Sequence, residues 1–234
     1  MTPKATQNRY VLSTFFFVAE MTDWLSAWEN NKMVWHREKI DPILEKHLEK
    51  ITDNKTNAKL FVPLCGKTVD MLYLVKMGHQ VIGVEYSELA VQQFIKESGL
   101  TFTTKPVVEM DGVLYENEEN QIKIYCGDFF KFSSSLERDF DGIWDRGALE
   151  AIEPDLREKY VSIIKAICKA NVGYLLQTAD RPPGVGHPFY VATEDIVKLY
   201  GLSSQAEQIG YEIAPPELKN RGCDGLFYYH FKMP

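Results

Sequence analysis

Two strand, turn and helix units stand back to back between Lys59 and Glu97, and they restrict this chain to a parallel α/β sheet more firmly than any other part of its sequence. Lys59 to Pro63 (KLFVP) is a short apolar run of buried-strand type, Cys65-Gly66-Lys67 is a turn, and Val69 to Met77 has helical periodicity. Gly78-His79 ends that helix, and Gln80 to Glu85 (QVIGVE) is a second strand that feeds a helix over Ser87 to Glu97. Repeats of this kind close with right-handed crossovers around parallel strands.

The rest of the chain extends that sheet. Val107 to Tyr115 and Gln121 to Cys126 alternate as strands or as a hairpin insertion, with Asp111-Gly112 and residues 116–120 as turns. Phe140 to Trp144 (FDGIW) and Gly173 to Gln177 (GYLLQ) are further buried strands, separated by an amphipathic helix over Pro154 to Ala170. Thr193 caps a helix that runs to Tyr200, and Gln208 to Ile213 and Leu226 to Lys232 are two last strands with no helix between them, which suits an antiparallel edge. Upstream, Trp24, Trp28 and Trp35 fall in a helical pattern from Thr22 to His47, and Asp41-Pro42 opens a further helix. The expected fold is an α/β, doubly wound, mostly parallel sheet with an antiparallel C-terminal edge. One domain covers residues 1–234, with 1–50 as an N-terminal helical extension.

Composition narrows the function classes. A chain of 234 residues with 45% hydrophobic side chains fills one sizeable core, and a net charge of -7 has the wrong sign for a protein that holds a phosphate backbone. The longest uncharged run, Val11 to Ala19, falls short of the roughly 20 residues of a membrane helix, and Ser13 and Thr14 interrupt it as a signal-peptide core. Cys65, Cys126, Cys168 and Cys223 form no CxxC pair, so we expect no structural zinc and a reduced, cytoplasmic setting.

In an open α/β sheet, ligands bind beyond the carboxyl ends of the strands, near the point where strand order reverses. Four strand ends therefore carry the functional argument. The first is Pro63-Leu64-Cys65-Gly66-Lys67, where a glycine lets the backbone approach a ligand closely. Glu85 ends the second strand 19 positions past Gly66, the spacing at which a carboxylate accepts hydrogen bonds from ribose hydroxyls. Without G-x-G-x-x-G a pyrophosphate has no cradle, so the pair favours adenosine without phosphates over a dinucleotide; alone, it also fits a turn glycine beside a surface glutamate. The third end, Cys126-Gly127-Asp128-Phe129, fits an adenine pocket, with Asp128 accepting from the exocyclic amine and Phe129 packing on the purine, or a polar turn before a helix. The fourth sets Asp145 and Arg146 directly after a buried strand, as a pair at a reacting centre or as an ion pair that fixes a loop. Trp24 and Trp28 share a helix face and suit either core packing or the wall of a cationic ligand. The five histidines sit in unlike contexts and form no catalytic set, and no cysteine is framed as a nucleophile.

Taken in order, FVPLCGK, GHQVIGVEYSELAV, IYCGDFF, IWDRGALEAI and GHPFYV resemble the thiopurine S-methyltransferase family over nearly the whole chain. The resemblance implies a Rossmann-like class I methyltransferase with S-adenosylmethionine as co-substrate; the charge, the short apolar run and the lack of a ligand cluster lead us to expect no nucleic-acid partner, no membrane partner and no metal, and we expect a monomer. The resemblance also implies that Leu64 and Glu85, with the Gly66 turn, hold the methionine part and ribose of the donor, and that Asp128 and Phe129 frame its adenine. Trp24, Trp28 and the pair Trp35-His36 look like the family's N-terminal helical lid. Arg146 is similar to an arginine that stands between donor and acceptor, with Asp145 beside it, while Trp35, Pro188 and Phe189 look like parts of an acceptor wall. The chain departs from the vertebrate pattern at Trp35, where that pattern has phenylalanine, and at Glu217 to Arg221, where a second substrate arginine is not cleanly supplied.

The implied chemistry is in-line displacement of a sulfonium-bound methyl by the thiolate of a small aromatic or heterocyclic thiol, which needs alignment and dryness more than acid-base machinery. Rival expectations are a halide, thiocyanate, selenium or tellurium methyltransferase of the same fold, and a metal-dependent O-methyltransferase using Asp145 and Asp180. A nicotinamide dehydrogenase and a non-catalytic adenosine-binding protein come from other classes.

Overall fold

A computed structural model of the chain describes residues 24–184 and 186–234, and it divides into two compact units, Met1–Val34 and Trp35–Pro234. The Val11 to Ala19 run and the Thr22-Asp23 caps lie outside the described residues. In the first unit residues 24–29 are helical, with Trp24 half-buried and Trp28 buried. The helical pattern expected from Thr22 is interrupted, because Asn31 adopts left-handed backbone (φ 53°) and stops the helix, while the further helix expected at Asp41-Pro42 does start there.

In the second unit, α1 (Pro42–His47) begins as expected at Asp41, whose carboxylate accepts the Ile43 N–H at 2.9 Å, and α2 (Glu49–Thr52) follows at once. The two βα units then appear: β1 (Lys59–Pro63), α3 (Asp70–Lys76), β2 (Gln80–Glu85) and α4 (Glu88–Ser98). The turn expected at Asp111-Gly112 forms, with Asp111 in left-handed backbone (φ 48°), but the strand before it, β3 (Thr103–Val107), starts earlier than expected and is joined to β4 (Gly112–Asn117) by a single turn of 3-10 helix. Next come β5 (Ile122–Cys126), β6 (Phe140–Arg146), α5 (Ala148–Ala151), α6 (Arg157–Ile167), β7 (Cys168–Asp180), α7 (Thr193–Tyr200), β8 (Glu207–Ile213) and β9 (Gly225–Met233). β7 begins at Cys168, so α6 ends short of the Ala170 expected, and Thr193 lies inside α7 while Ala192 takes the cap position.

All nine strands make one sheet in the order β3-β4-β5-β2-β1-β6-β7-β9-β8. The central five, β5 to β7, are parallel; antiparallel strands flank them on both sides, two at each edge. From β1 the chain moves outward to β2 on one side and later returns to place β6 on the other, so strand order reverses between β1 and β6. Side chains alternate along β1: Leu60 and Val62 face α1, α2, α3 and α4, while Phe61 packs with α5, α6 and α7 on the opposite face. Two glycines set how closely the layers approach. A Cβ on Gly142 of β6 would lie 1.9 Å from the Ile51 carbonyl oxygen, and one on Gly173 of β7 would lie 1.8 Å from that of Lys50, so α2 rests directly on sheet backbone.

Candidate active site

Because the central strands are parallel, their carboxyl ends share one rim of the sheet, and the rim collects Leu64 to Gly66, Glu85, Asp128 and Arg146. The loop after β1 is tightly built. Leu64 (φ 43°) and Gly66 (φ 53°) are both left-handed, and the Cys65 N–H donates to the Val84 carbonyl at 3.0 Å. A bulky residue in that conformation stores strain, a condition concentrated at functional sites.

Glu85 is the organiser of this half. Its Oε2 accepts the Gly66 N–H at 2.7 Å and its Oε1 accepts the Ser87 N–H at 2.7 Å, so the carboxylate ties the ends of β1 and β2 together. Burial pushes its pKa up, against the pull of the Ser87 and Gly66 amides. Each oxygen keeps a lone pair for a vicinal diol, which fits a ribose.

Asp128 accepts the Phe130 N–H at 2.8 Å and caps a short 3-10 turn. The neighbouring Phe129 corrects the expectation of a ring against a purine: it is 3% exposed, and its ring stacks on Tyr160 at 4.8 Å within the core. Only its backbone belongs to the rim.

The pair at the end of β6 is split by strand alternation. Asp145 is fully buried on the α6 face, accepting hydroxyls of Tyr160 (2.7 Å) and Tyr174 (2.6 Å) and the amides of Ala148 and Leu149. Burial raises its pKa even so. It is therefore an anchor for α5 and not a group at the reacting centre, which corrects its placement among the catalytic residues. Arg146 turns the other way: its Nη2 donates to the Trp35 carbonyl at 2.8 Å, and its Nε lies 3.7 Å from Asp41 Oδ2.

Asp41, read from sequence only as a helix cap, is the centre of a buried network. It accepts the Tyr228 hydroxyl at 3.0 Å, pairs with Arg37 at 3.6 Å, and its own N–H donates to Asp70, whose second oxygen accepts the Trp144 indole at 2.9 Å. Burial raises the Asp41 pKa, opposed by Arg37 and Arg146. His36, beside Trp35, is held below its ordinary pKa by burial and by the charges of Lys67 and Arg146.

The acceptor-wall candidates come to the same neighbourhood through α5. The Phe189 N–H donates to the Glu150 carbonyl at 2.7 Å, and the Arg157 guanidinium holds the Tyr190 carbonyl at 3.0 Å, which fixes the half-buried Pro188-Phe189 segment beside the β6 end. Sequence reasoning passed over Glu150. It is buried, accepts the Ala179 N–H, and burial raises its pKa to about 8. The carboxylates proposed for a metal lie apart in use, since Asp145 serves two tyrosines and Asp180 accepts the Tyr211 hydroxyl at 2.9 Å. Among the described residues no group of three or more metal-ligating side chains occurs, and no helix is long and apolar enough to cross a membrane.

A doubly wound sheet with a buried glutamate at the end of β2 and no pyrophosphate loop after β1 is the arrangement of a class I S-adenosylmethionine-dependent methyltransferase. Solved structures agree on the fold. The 1,6-didemethyltoxoflavin-N1-methyltransferase of Burkholderia thailandensis, solved with S-adenosylhomocysteine, aligns over 100% of this chain and 92% of its own at a TM-score of 0.62 and 17% identity. TehB of Haemophilus influenzae aligns over 90% of this chain and 67% of its own, at 0.57 and 14%. The family is shown by sequence: the thiopurine S-methyltransferase family model matches residues 19–229, and the chain belongs to that family. It is 36% identical to the probable thiopurine S-methyltransferase of Danio rerio, over 80% of this chain and 82% of the relative, and 33% identical to the Mus musculus enzyme over 90% and 89%. It is thus an enzyme whose co-substrate is S-adenosylmethionine, as the residues set out above and the family together indicate.

Proposed function

We propose that the chain transfers the methyl group of S-adenosylmethionine to the sulfur of small aromatic or heterocyclic thiols of the thiopurine kind. The observation that carries the reading is the opposition of Glu85 and Arg146 across the strand reversal, one an acceptor for ribose hydroxyls and the other a fixed cation at the far side of the rim. Glu85, Leu64, Gly66 and Asp128 hold the donor, and the donor supplies a methyl on a positively charged sulfur. Arg146, kept in place by Asp41 and the Trp35 carbonyl, stabilises the acceptor's thiolate and cannot take its proton, because a guanidinium stays protonated. Heteroaromatic thiols ionise readily, so no strong base is required. By family likeness Trp35, Pro188 and Phe189 make up the acceptor set.

We further take the enzyme to be a cytoplasmic monomer; all four cysteines are free thiols, which suits a reducing compartment. Light scattering of the purified protein checks the monomer. For the activity, a panel of thiols, selenols, halides and thiocyanate is incubated with S-adenosylmethionine and scored by product mass, with methylated thiols expected; turnover of the inorganic acceptors alone moves the enzyme to the halide or chalcogen class, and no turnover leaves a binding protein. Glu85→Ala should weaken S-adenosylhomocysteine binding by about 1 to 3 kcal/mol in calorimetry, the loss typical for a charged acceptor. Unchanged affinity removes Glu85 from the donor site.

A further inference from the structure

Beyond Arg146, along the carboxyl end of β7, lies a second cation that the reaction as described does not use. Arg181 is 4% exposed, yet its Nε and Nη1 have no hydrogen-bond partner, and its Nη2 reaches only the Arg221 carbonyl at 3.4 Å. A buried guanidinium left so poorly matched is costly, and the cost is removed by an anion that accepts from it. No carboxylate among the described residues accepts a hydrogen bond from Arg181. Glu150 is the carboxyl group whose charge interacts with both Arg146 and Arg181, and its high pKa, caused by burial, leaves it largely protonated at neutral pH.

Three further observations tie Arg181 to the acceptor side. Glu150 spans the two strand ends: it sits four residues past Arg146, and its side chain accepts the N–H of Ala179, two residues before Arg181. Gln177, paired in register with Arg146, is 5% exposed with its Oε1 unpartnered, and a Cβ on Gly147 would lie 3.3 Å from Glu150 Oε1 and 3.9 Å from Gln177 Nε2. The Glu150 carbonyl, in turn, holds the Phe189 backbone at 2.7 Å. The result is a continuous polar strip running from Arg146 past Glu150 and Gln177 to Arg181, flanked by Phe189.

We propose that Arg181, with Glu150 and Gln177, forms a second subsite that binds a carboxylate on the acceptor at the end remote from its sulfur. The acceptor class is then the aromatic and heterocyclic thiols that carry a carboxylate, with the sulfur at Arg146 and the carboxylate at Arg181. Charge-assisted hydrogen bonds of this kind are the strong ones, and a guanidinium is the side chain best matched to a carboxylate. This inference rests on the thiol methyltransferase reading above.

The test compares 4-mercaptobenzoate with thiophenol as acceptors for the full-length enzyme, and measures calorimetric binding of 4-(methylthio)benzoate in the presence of S-adenosylhomocysteine. For the wild type we expect the kcat/KM ratio of 4-mercaptobenzoate to thiophenol to be about tenfold or more. In Arg181→Met that ratio should fall close to one, and the methylthiobenzoate affinity should drop by a similar factor. Arg181→Lys, which keeps the charge and the fold if the methionine variant does not, should retain part of both. A wild-type ratio near one, or a ratio and affinity that neither variant changes, overturns the subsite. If the wild type methylates neither thiol, the reaction assignment fails, and methylthiobenzoate binding alone decides the subsite: loss in the Arg181 variants supports it, and no loss rejects it.

Discussion

Arg146 and Asp145 are neighbours in sequence with opposite duties, and the difference comes from which face of β6 each occupies. Asp145 is enclosed by two tyrosine hydroxyls and two amides, whereas Arg146 is held by a carbonyl and by Asp41 on the rim. Arg146→Ala should therefore lower kcat/KM by roughly tenfold or more, with the loss largest for acceptors of high thiol pKa, where help in ionising matters most. Steady-state kinetics across a thiol series check this, and an equal loss for all acceptors would make Arg146 a loop-fixing residue. Glu150 carries a second residue-scale prediction. Burial lifts its pKa from 4.5 to about 8, so between those values the folded protein keeps a proton that the unfolded chain has lost. Stability contributed by this group is full below the lower value and declines as pH rises, by at most about 1.4 kcal/mol per pH unit, until the folded group ionises. Glu150→Gln removes that decline while keeping an oxygen for Ala179. Its advantage over the wild type in thermal unfolding should grow from about pH 5 to pH 8 and then level off.

Among the elements, α2 is the one whose position depends on missing side chains. Its backbone carbonyls lie where Cβ atoms of Gly142 and Gly173 would be, so Gly142→Ala must push α2 off β6 and disturb Leu48 and Ile51 in the core below. A loss of about 1 to 3 kcal/mol, the usual cost of overpacking, is expected in denaturant unfolding. Here the limits of sequence reasoning are plain. The βα units, the FDGIW strand and the antiparallel tail were legible because apolar periodicity and glycine punctuation are local signals. The break after residue 29 was not, since it depends on one asparagine in left-handed backbone, and neither was the length of β7, whose first residues look helical until β6 pairs with them. In the site, Glu85 was legible by its distance from Gly66. Asp41, Glu150 and Arg181 were not, because their partners lie dozens of residues away: Asp41 and Tyr228 are 187 positions apart.

At the scale of the whole molecule, the rim opposite the active site is closed by charge. Asp141, at the start of β6, accepts Lys55 Nζ at 2.6 Å, Lys169 Nζ at 2.7 Å and the Lys59 N–H at 2.9 Å, joining β1, β6 and β7 at their amino ends. Burial pushes its pKa up, but the hydrogen bonds from Lys169 and Lys55 outweigh burial and hold it at about 2, below its ordinary 3.8. A depressed folded pKa means that this stability is present above the ordinary value and is lost as pH falls through the folded one. Asp141→Asn should thus cost about 1 to 2 kcal/mol at neutral pH, after allowance for screening of the partly exposed lysines, and its penalty should shrink between about pH 4 and pH 2. The central pairing of β1 with β6 has a consequence in time. Leu60 meets Gly142 across more than a third of the chain, so that contact closes only after a long loop has been searched, whereas β1 and β2 meet locally. Glu85 ties the ends of β1 and β2 together, but Arg146 comes into line with it only once β6 has docked. The Glu85 side of the rim is thus built from local contacts, whereas the Arg146 side leans on Asp41 and, through it, on Tyr228, 187 positions further on.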